Sequence, residues 1–157
     1  MKHLSFKLAM FVTIIFICMP HTALAAGKGL AYEWVKEDLA SPLVAVSSDG
    51  SVLIADGGQL FKLTGSGAQK WGVKLGEEVR FLEADANGGC WAAFSKGVVR
   101  VLPTGKVSWT YSCDEGITCL EPLPDGRVLV GTELGGFLLD EDGRFVWLYD
   151  PATGCDT

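Results

Sequence analysis

Apolar and polar residues alternate in short runs along most of the chain, and turn dipeptides such as Asp49-Gly50 separate the runs. Short runs with a period of two are typical of β-strands, and Asp-Gly or Asn-Gly suits the tight turn of an antiparallel hairpin. After the first 25 residues no window has the period of an amphipathic helix. The pattern therefore predicts an all-β chain whose strands lie at 43–47, 51–55, 59–63, 69–75, 80–85, 90–94, 97–102, 106–112, 118–122, 127–131, 136–140 and 144–149.

The strand pattern repeats every 38 residues without a gap. The repeated residues are three tryptophans, the glycines four residues before them, and three turn glycines: Trp71, Trp109 and Trp147; Gly67, Gly105 and Gly143; Gly50, Gly88 and Gly126. Four antiparallel strands in a repeat of about 40 residues indicate a β-propeller blade, whereas a sandwich or a barrel requires no exact repeat. The sequence predicts three four-stranded blades, at about 41–79, 80–117 and 118–155.

The end of each repeat resembles a known propeller family. Thr104-Gly105-Lys106 followed by Trp109 is similar to the quinoprotein-like (pyrroloquinoline-quinone-binding-like) repeat, whose pattern is roughly Ala-x-Asp-x-x-Thr-Gly-Lys-x-x-Trp. The Gly and the Trp match in all three repeats, but Phe, Val and Leu stand at the Ala and Asp positions. The resemblance implies that these residues dock neighbouring blades and have a structural role: Trp71, Trp109, Trp147, Gly67, Gly105 and Gly143.

The chemistry of the family does not carry over to these residues. Quinoprotein alcohol dehydrogenases typically have an adjacent Cys-Cys pair near the cofactor, with an Asp base and calcium ligands, and no two cysteines of this chain are adjacent. The turn Asp140-Glu141-Asp142-Gly143 also looks like the propellers of arylsulfotransferases, which rely on a catalytic His. The same turn lacks the further oxygen ligands of a calcium loop. We therefore expect no catalytic residue, no cofactor and no metal ion in this chain.

The first 25 residues have the three regions of a secretory signal peptide. Basic residues precede an apolar run at 8–19, which is too short to span a bilayer, and Ala23-Leu24-Ala25 is the expected cleavage site. Cys18 follows Ile17 rather than a small residue, which argues against a lipoprotein anchor. The sequence predicts export to the periplasm or the medium, with no transmembrane segment in the mature chain.

Composition and charge remove several classes of function. The 157 residues are 48% hydrophobic and have a formal net charge of −6, which favours a folded domain and opposes binding to nucleic acid. Both histidines, His3 and His21, belong to the predicted signal peptide. A mature chain without histidine has no Ser-His-Asp triad, no Cys-His pair and no His-bound zinc.

Four cysteines follow the signal peptide: Cys90, Cys113, Cys119 and Cys155. An exported protein meets an oxidising compartment, so these residues are candidates for disulfides, and four cysteines allow three connectivities. A Cys113–Cys119 bond is the local possibility, and free buried thiols are the alternative.

Three blades make an incomplete propeller, since propellers typically close with four to eight. Trp34 lies 37 residues before Trp71, so the segment 26–40 is a candidate for a closing strand. Open blades expose strand edges and apolar faces. We expect either missing blades that complete a larger propeller or a homo-oligomer, in which two chains form a six-bladed ring.

The sequence favours an exported, non-catalytic propeller module that binds a protein partner or acts as a scaffold. Residues that break the repeat are the expected contacts: Arg80, Trp91, Arg100 and the loop Cys113–Cys119. For Trp91, whose counterparts are Leu53 and Leu129, a larger core residue is an equal alternative. One alternative is the N-terminal part of a quinoprotein dehydrogenase-type oxidoreductase. The other is a barrel-assembly-type scaffold of the outer membrane, which resembles the same repeat class.

Overall fold

The computed structural model describes residues 36–151 and the backbone of 154–156. The predicted signal peptide, Trp34 and the side chain of Cys155 lie outside this part of the chain. All regular elements of the described residues are β-strands, as the two-residue period requires.

The strands form three consecutive antiparallel sheets. Blade 1 contains β1 (Leu43–Val46), β2 (Val52–Asp56), β3 (Gln59–Leu63) and β4 (Gln69–Lys74). Blade 2 contains β5 (Phe81–Ala84), β6 (Cys90–Ala93), β7 (Gly97–Val101) and β8 (Val107–Ser112). Blade 3 contains β9 (Ile117–Pro122), β10 (Val128–Thr132), β11 (Gly136–Leu139), β12 (Phe145–Asp150) and β13 (Gly154–Asp156). The predicted all-β fold of propeller blades is confirmed, and each of the predicted strands ends within one residue of its expected position.

Blade 3 departs from the predicted four strands. β13 pairs antiparallel with the outer edge of β12 and places Cys155 opposite Tyr149. A strand of three residues is too short to show alternation, so the sequence pattern did not predict it. This fifth strand satisfies backbone groups that would otherwise form an open edge.

The first turn of blade 1 shows why Asp-Gly recurs in the repeat. Gly50 has a φ of 74°, a left-handed conformation that costs a glycine little, and its N–H donates to the Ser47 carbonyl at 2.9 Å. The Asp49 carboxylate accepts the Ser51 N–H at 2.9 Å. Gly88 and Gly126 repeat this conformation in blades 2 and 3, with φ of 83° and 86°.

Blade 2 contributes to two apolar cores because alternate side chains of its strands point to opposite faces. Leu53 and Leu60 of blade 1 share one core with Val99 of blade 2. Trp91 of blade 2 shares the other with Val130 of blade 3. The blades are therefore held together by side chains between sheets, as in stacked repeats.

The two ends of the three-blade arc differ. On blade 1 the face turned away from blade 2 is covered by the segment 36–41: Leu39 packs on the cluster that contains Ile54. The Ala40 and Ser41 N–H groups also donate to the Asp56 carboxylate at 3.2 and 3.0 Å. Within the described residues, no further sheet follows blade 3.

Candidate functional site

Two of the three repeated tryptophans join neighbouring blades. The Trp71 indole Nε1–H donates to the Pro103 carbonyl at 2.8 Å, and the Trp109 indole donates to the Glu141 carbonyl at 2.9 Å. Each ring lies against the glycine two residues after that carbonyl. An ideal Cβ on Gly105 would be 2.8 Å from the Trp71 ring, so the close approach requires glycine.

The third glycine of this set shares the backbone geometry. Gly67 has a φ of 86°, compared with 83° at Gly105 and 79° at Gly143. Trp34, the residue expected one repeat before Trp71, lies outside the described residues. The expected docking of Trp147 onto a following blade stays a prediction, since the described chain holds no such blade.

A buried cation accompanies each of the two docked tryptophans. Lys62 pairs across the sheet with Trp71, and its Nζ donates to the Gly88 carbonyl of blade 2 at 2.6 Å. Arg100 occupies the same repeat position beside Trp109 and donates from Nη1 to the Glu141 carbonyl of blade 3 at 2.7 Å. Each cation thus joins its own blade to a turn of the following blade.

Two of the expected contact residues are buried between blades. Trp91 is 1% exposed and Arg100 is 9% exposed. The guanidinium lies 5.0 Å from the centre of the Trp91 ring, and Nη2 donates to Asp85 Oδ2 at 2.9 Å. Of the two alternatives for Trp91, the core residue is confirmed. The expectation that Trp91 and Arg100 recognise a partner is wrong, because both side chains are buried between blades. Arg80 is exposed, and its role as a contact stays a prediction.

A small cleft lies between the turns of blades 1 and 2. It has a volume of about 380 Å³ and is lined by Asp49, Lys62 and Lys70, among others. Asp49 Oδ2 lies 3.5 Å from Lys62 Nζ and 3.4 Å from Lys70 Nζ. The hydrogen bond from the Ser51 N–H, together with the two lysines, holds the pKa of Asp49 well below its usual range. These charges satisfy one another, so the cleft serves the junction of the blades.

The described cysteines are free thiols. Cys90 is buried, Cys113 is partly buried and Cys119 is exposed. Burial raises the pKa of Cys90 to about 12. Burial also raises the pKa of Cys113, whose Sγ lies 3.4 Å from the Glu115 carbonyl. The local Cys113–Cys119 disulfide is therefore not formed, and a bond that involves Cys155 lies outside the described side chains.

Glu83 and Glu121 occupy the same repeat position, on β5 of blade 2 and β9 of blade 3. Partial burial raises the pKa of Glu83, and the charge of Glu121 adds to the effect. Among the described residues, no group of three or more His, Cys, Asp or Glu side chains is placed to hold a metal ion. The two carboxylates therefore repel each other and belong to no metal site among the described residues.

The remaining candidate is the face of blade 3 turned away from blade 2, which we term the blade 3 outer face. In β9–β12, every second side chain packs in the core between blades 2 and 3. The side chains between them point to the blade 3 outer face and form two rows across it. The first row is Glu121, Leu129, Leu138 and Trp147, and the second is Cys119, Gly131, Gly136 and Tyr149.

Exposed apolar side chains are concentrated in blade 3. Of the described large hydrophobic residues that are exposed, four belong to this blade: Leu134 (66%), Phe145 (48%), Val146 (37%) and Tyr149 (49%). The fifth is Val46 (54%) in blade 1. Of these residues, Tyr149 lies in the second row of the blade 3 outer face, and an exposed aromatic ring beside other apolar side chains marks a candidate surface for interaction. The repeat did not predict this exposure: Lys70 and Ser108 stand at the position of Val146, and the partly buried Val73 and Tyr111 stand at the position of Tyr149.

The fold defines the class of protein: an incomplete β-propeller. No protein-family model and no curated protein sequence matches the chain. Among solved structures, the chain is similar to BamB from Moraxella catarrhalis, with a TM-score of 0.60 and 23% identity over 68% of this chain and 35% of that one. No helix in the described residues is long and apolar enough to cross a membrane.

Two further structures share the fold at lower identity. The WD40 domain of Neurospora crassa Pan2 has a TM-score of 0.56 and 15% identity, over 70% of this chain and 37% of that one. BBS1N, solved in complex with ARL6DN, has a TM-score of 0.58 and 16% identity, over 77% of this chain and 43% of that one. The chain spans less than half the length of each of these proteins, and the likeness shows a β-propeller scaffold.

Proposed function

We propose that the protein is an exported, non-catalytic β-propeller module of the quinoprotein-like repeat class that binds a protein partner. The support for export is the signal-peptide pattern of residues 1–25. The proposed lack of catalysis rests on the sequence, since residues 26–157 contain no histidine and no adjacent cysteines. The partial match of the Thr-Gly-Lys and Trp positions supports the assignment to the repeat class.

The observation that carries the proposal is the asymmetry of the arc. The outer side of blade 1 is covered by the chain's own residues, with Leu39 on the apolar cluster and Asp56 binding the Ala40 N–H. Blade 3 instead presents Leu134 and Tyr149 to solvent. A rigid repeat core with one apolar end is suited to hold a partner protein, because the binding surface needs little ordering when it docks.

The native mass of the protein in its own organism tests this proposal. We expect it in the periplasm or the medium, with Ala26 as its first residue and in a particle that also contains a second, different protein in fixed ratio. Retention of residues 1–25 in the cytosolic fraction would refute export. A particle that contains only copies of this chain would refute the binding module, and a mass near twice the chain would instead support the self-closing ring.

A further inference from the structure

The second row of the blade 3 outer face has lost the side chains that fill the junctions between the other blades. In blade 1 this row reads Leu43, Ala55, Leu60 and Val73; in blade 2 it reads Phe81, Ala93, Val98 and Tyr111; in blade 3 it reads Cys119, Gly131, Gly136 and Tyr149. Leu60 and Val98 are fully buried against the following blade. A blade of the same kind packed on blade 3 would leave a void at Gly136, and empty space in a core is costly.

The first row has lost its cation. Lys62 and Arg100 each donate to a carbonyl of the following blade, whereas Leu138 stands at this position in blade 3. Blade 3 therefore supplies no basic group to a neighbour. Leu138 is itself only 2% exposed, so a cation that belongs to a partner would lie at the end of this row, beside the exposed Glu121.

Blade 3 is also the acidic part of the protein. The segment 118–155 has seven acidic and two basic residues, compared with four and three in 41–79 and four and four in 80–117. Both arginines of blade 3 are paired within their own turns: Arg127 with Asp125 at 2.6 Å and Arg144 with Asp142 at 2.8 Å. Acidic charge is thus in excess in blade 3, and Glu121 carries it into the first row of the outer face. This charge attracts a basic partner and repels a second copy of the same face.

From these observations we infer that the blade 3 outer face binds a basic segment of a partner protein, which places a large apolar side chain over Gly136 and a lysine or arginine beside Glu121. The Cys119 thiol already lies against Gly131. This inference rests on the proposed function and adds the chemistry of the partner. The exposed Tyr149 ring and the half-buried Trp147 and Leu129 form the apolar wall of the site. A two-chain ring is disfavoured, because the blade 1 face that it requires is covered by Leu39.

Two synthetic peptides test the inference on the exported protein by fluorescence anisotropy. Both alternate leucine and phenylalanine with charged residues, and they differ only in carrying lysine or glutamate. We expect the lysine peptide to bind at least about tenfold more tightly than the glutamate peptide, and its affinity to fall as salt is raised. Equal binding of the two peptides, or binding of neither, overturns the inference.

Matched variants locate the site. Tyr149→Ser should weaken binding of the lysine peptide about tenfold, as expected for a contact residue at an interface. Phe145→Ser should leave it unchanged, because Phe145 lies on the same strand with nearly the same exposure but pairs with Leu139 of the core between blades 2 and 3. An equal loss in both variants contradicts the assignment to the outer face.

A second pair of variants separates local from overall charge. Glu121→Lys and Glu78→Lys change the net charge equally, but Glu78 lies in the exposed connection between blades 1 and 2. Only Glu121→Lys should weaken binding, by about tenfold. Equal effects would mean that the whole protein's charge, not this face, attracts the peptide. A dimer that Tyr149→Ser dissociates would show that a second copy occupies the face. If the native complex described above persists in Tyr149→Ser and Glu121→Lys, the binding module stands and this docking site is wrong.

Discussion

The buried Arg100–Asp85 pair gives a sharp test of how blades 2 and 3 are joined. Arg100 Nη2 lies 2.9 Å from Asp85 Oδ2, and the two side chains are only 10% and 5% exposed. The repeat itself supplies the replacement, because blade 3 has Leu123 and Leu138 at the corresponding positions. We therefore compare Arg100→Leu, Asp85→Leu and the double variant.

The expected free energies follow from what each variant leaves buried. Either single substitution leaves one buried charge without its partner and should lower the free energy of unfolding by about 3–5 kcal/mol. The double variant leaves no charge. It loses the bond from Arg100 Nη1 to the Glu141 carbonyl and the bond from the Asn87 N–H to Asp85, each about 1 kcal/mol. The free energy of unfolding of the double variant should therefore fall by about 2 kcal/mol, which is less than the decrease in either single variant.

Urea unfolding followed by tryptophan fluorescence measures all four proteins. The coupling energy between the two sites should exceed about 2 kcal/mol. If a single variant does not fold at all, folding of the double variant still shows the coupling. Losses that simply add would refute the reasoning, since they would mean that the two side chains are stabilised by other groups and not by each other.

Three further predictions concern the turns, the thiols and the inner carboxylates. Gly105→Ala should lower the free energy of unfolding by at least about 1 kcal/mol more than Gly50→Ala. Both positions have positive φ, but only at Gly105 would the added Cβ meet an indole ring. Urea unfolding of the two variants gives the difference. Iodoacetamide at pH 8 should modify Cys119 in the native protein and Cys90 only after unfolding. Peptide mass spectrometry measures the modification. Equal rates of modification of Cys90 and Cys119 in the native protein would contradict the burial and raised pKa of Cys90. A carboxyl whose pKa is raised in the folded state destabilises that state once the pH exceeds the carboxyl's ordinary pKa. Glu83→Gln should therefore be more stable than the natural protein at pH 7 and lose this advantage near pH 4. Thermal unfolding at several pH values measures the difference, and a difference independent of pH would refute the prediction.

Local patterns explain how much of the fold the sequence predicted. Alternation and turn glycines act within a few residues, so the strand ends were predicted to within one residue. β13 could not be predicted in this way, because its three residues become a strand only by pairing with β12. The Cys113–Cys119 disulfide was considered because the two cysteines are close in sequence. Closeness in sequence does not show that Cys119 lies on the outer face of blade 3 while Cys113 precedes β9.

The wrong assignment of Trp91 and Arg100 shows what a repeat does and does not indicate. A residue that breaks the pattern was expected to face a partner, although Trp91, which shares its position with the apolar Leu53 and Leu129, was equally expected to be a core residue. The position predicts burial, and the larger ring fills the space that Arg100 shares with it between blades 2 and 3. A departure from the repeat therefore signals function only where the neighbouring blade is also missing.

Within the described residues, that condition is met on the blade 3 outer face. Gly131 and Gly136 depart from Ala and larger residues, and Leu138 departs from Lys and Arg, at positions whose counterparts are buried in contact with a following blade. Each change taken alone weakens a junction between blades. Together they remove bulk and positive charge from the same face, and the partner that fits this face best carries both.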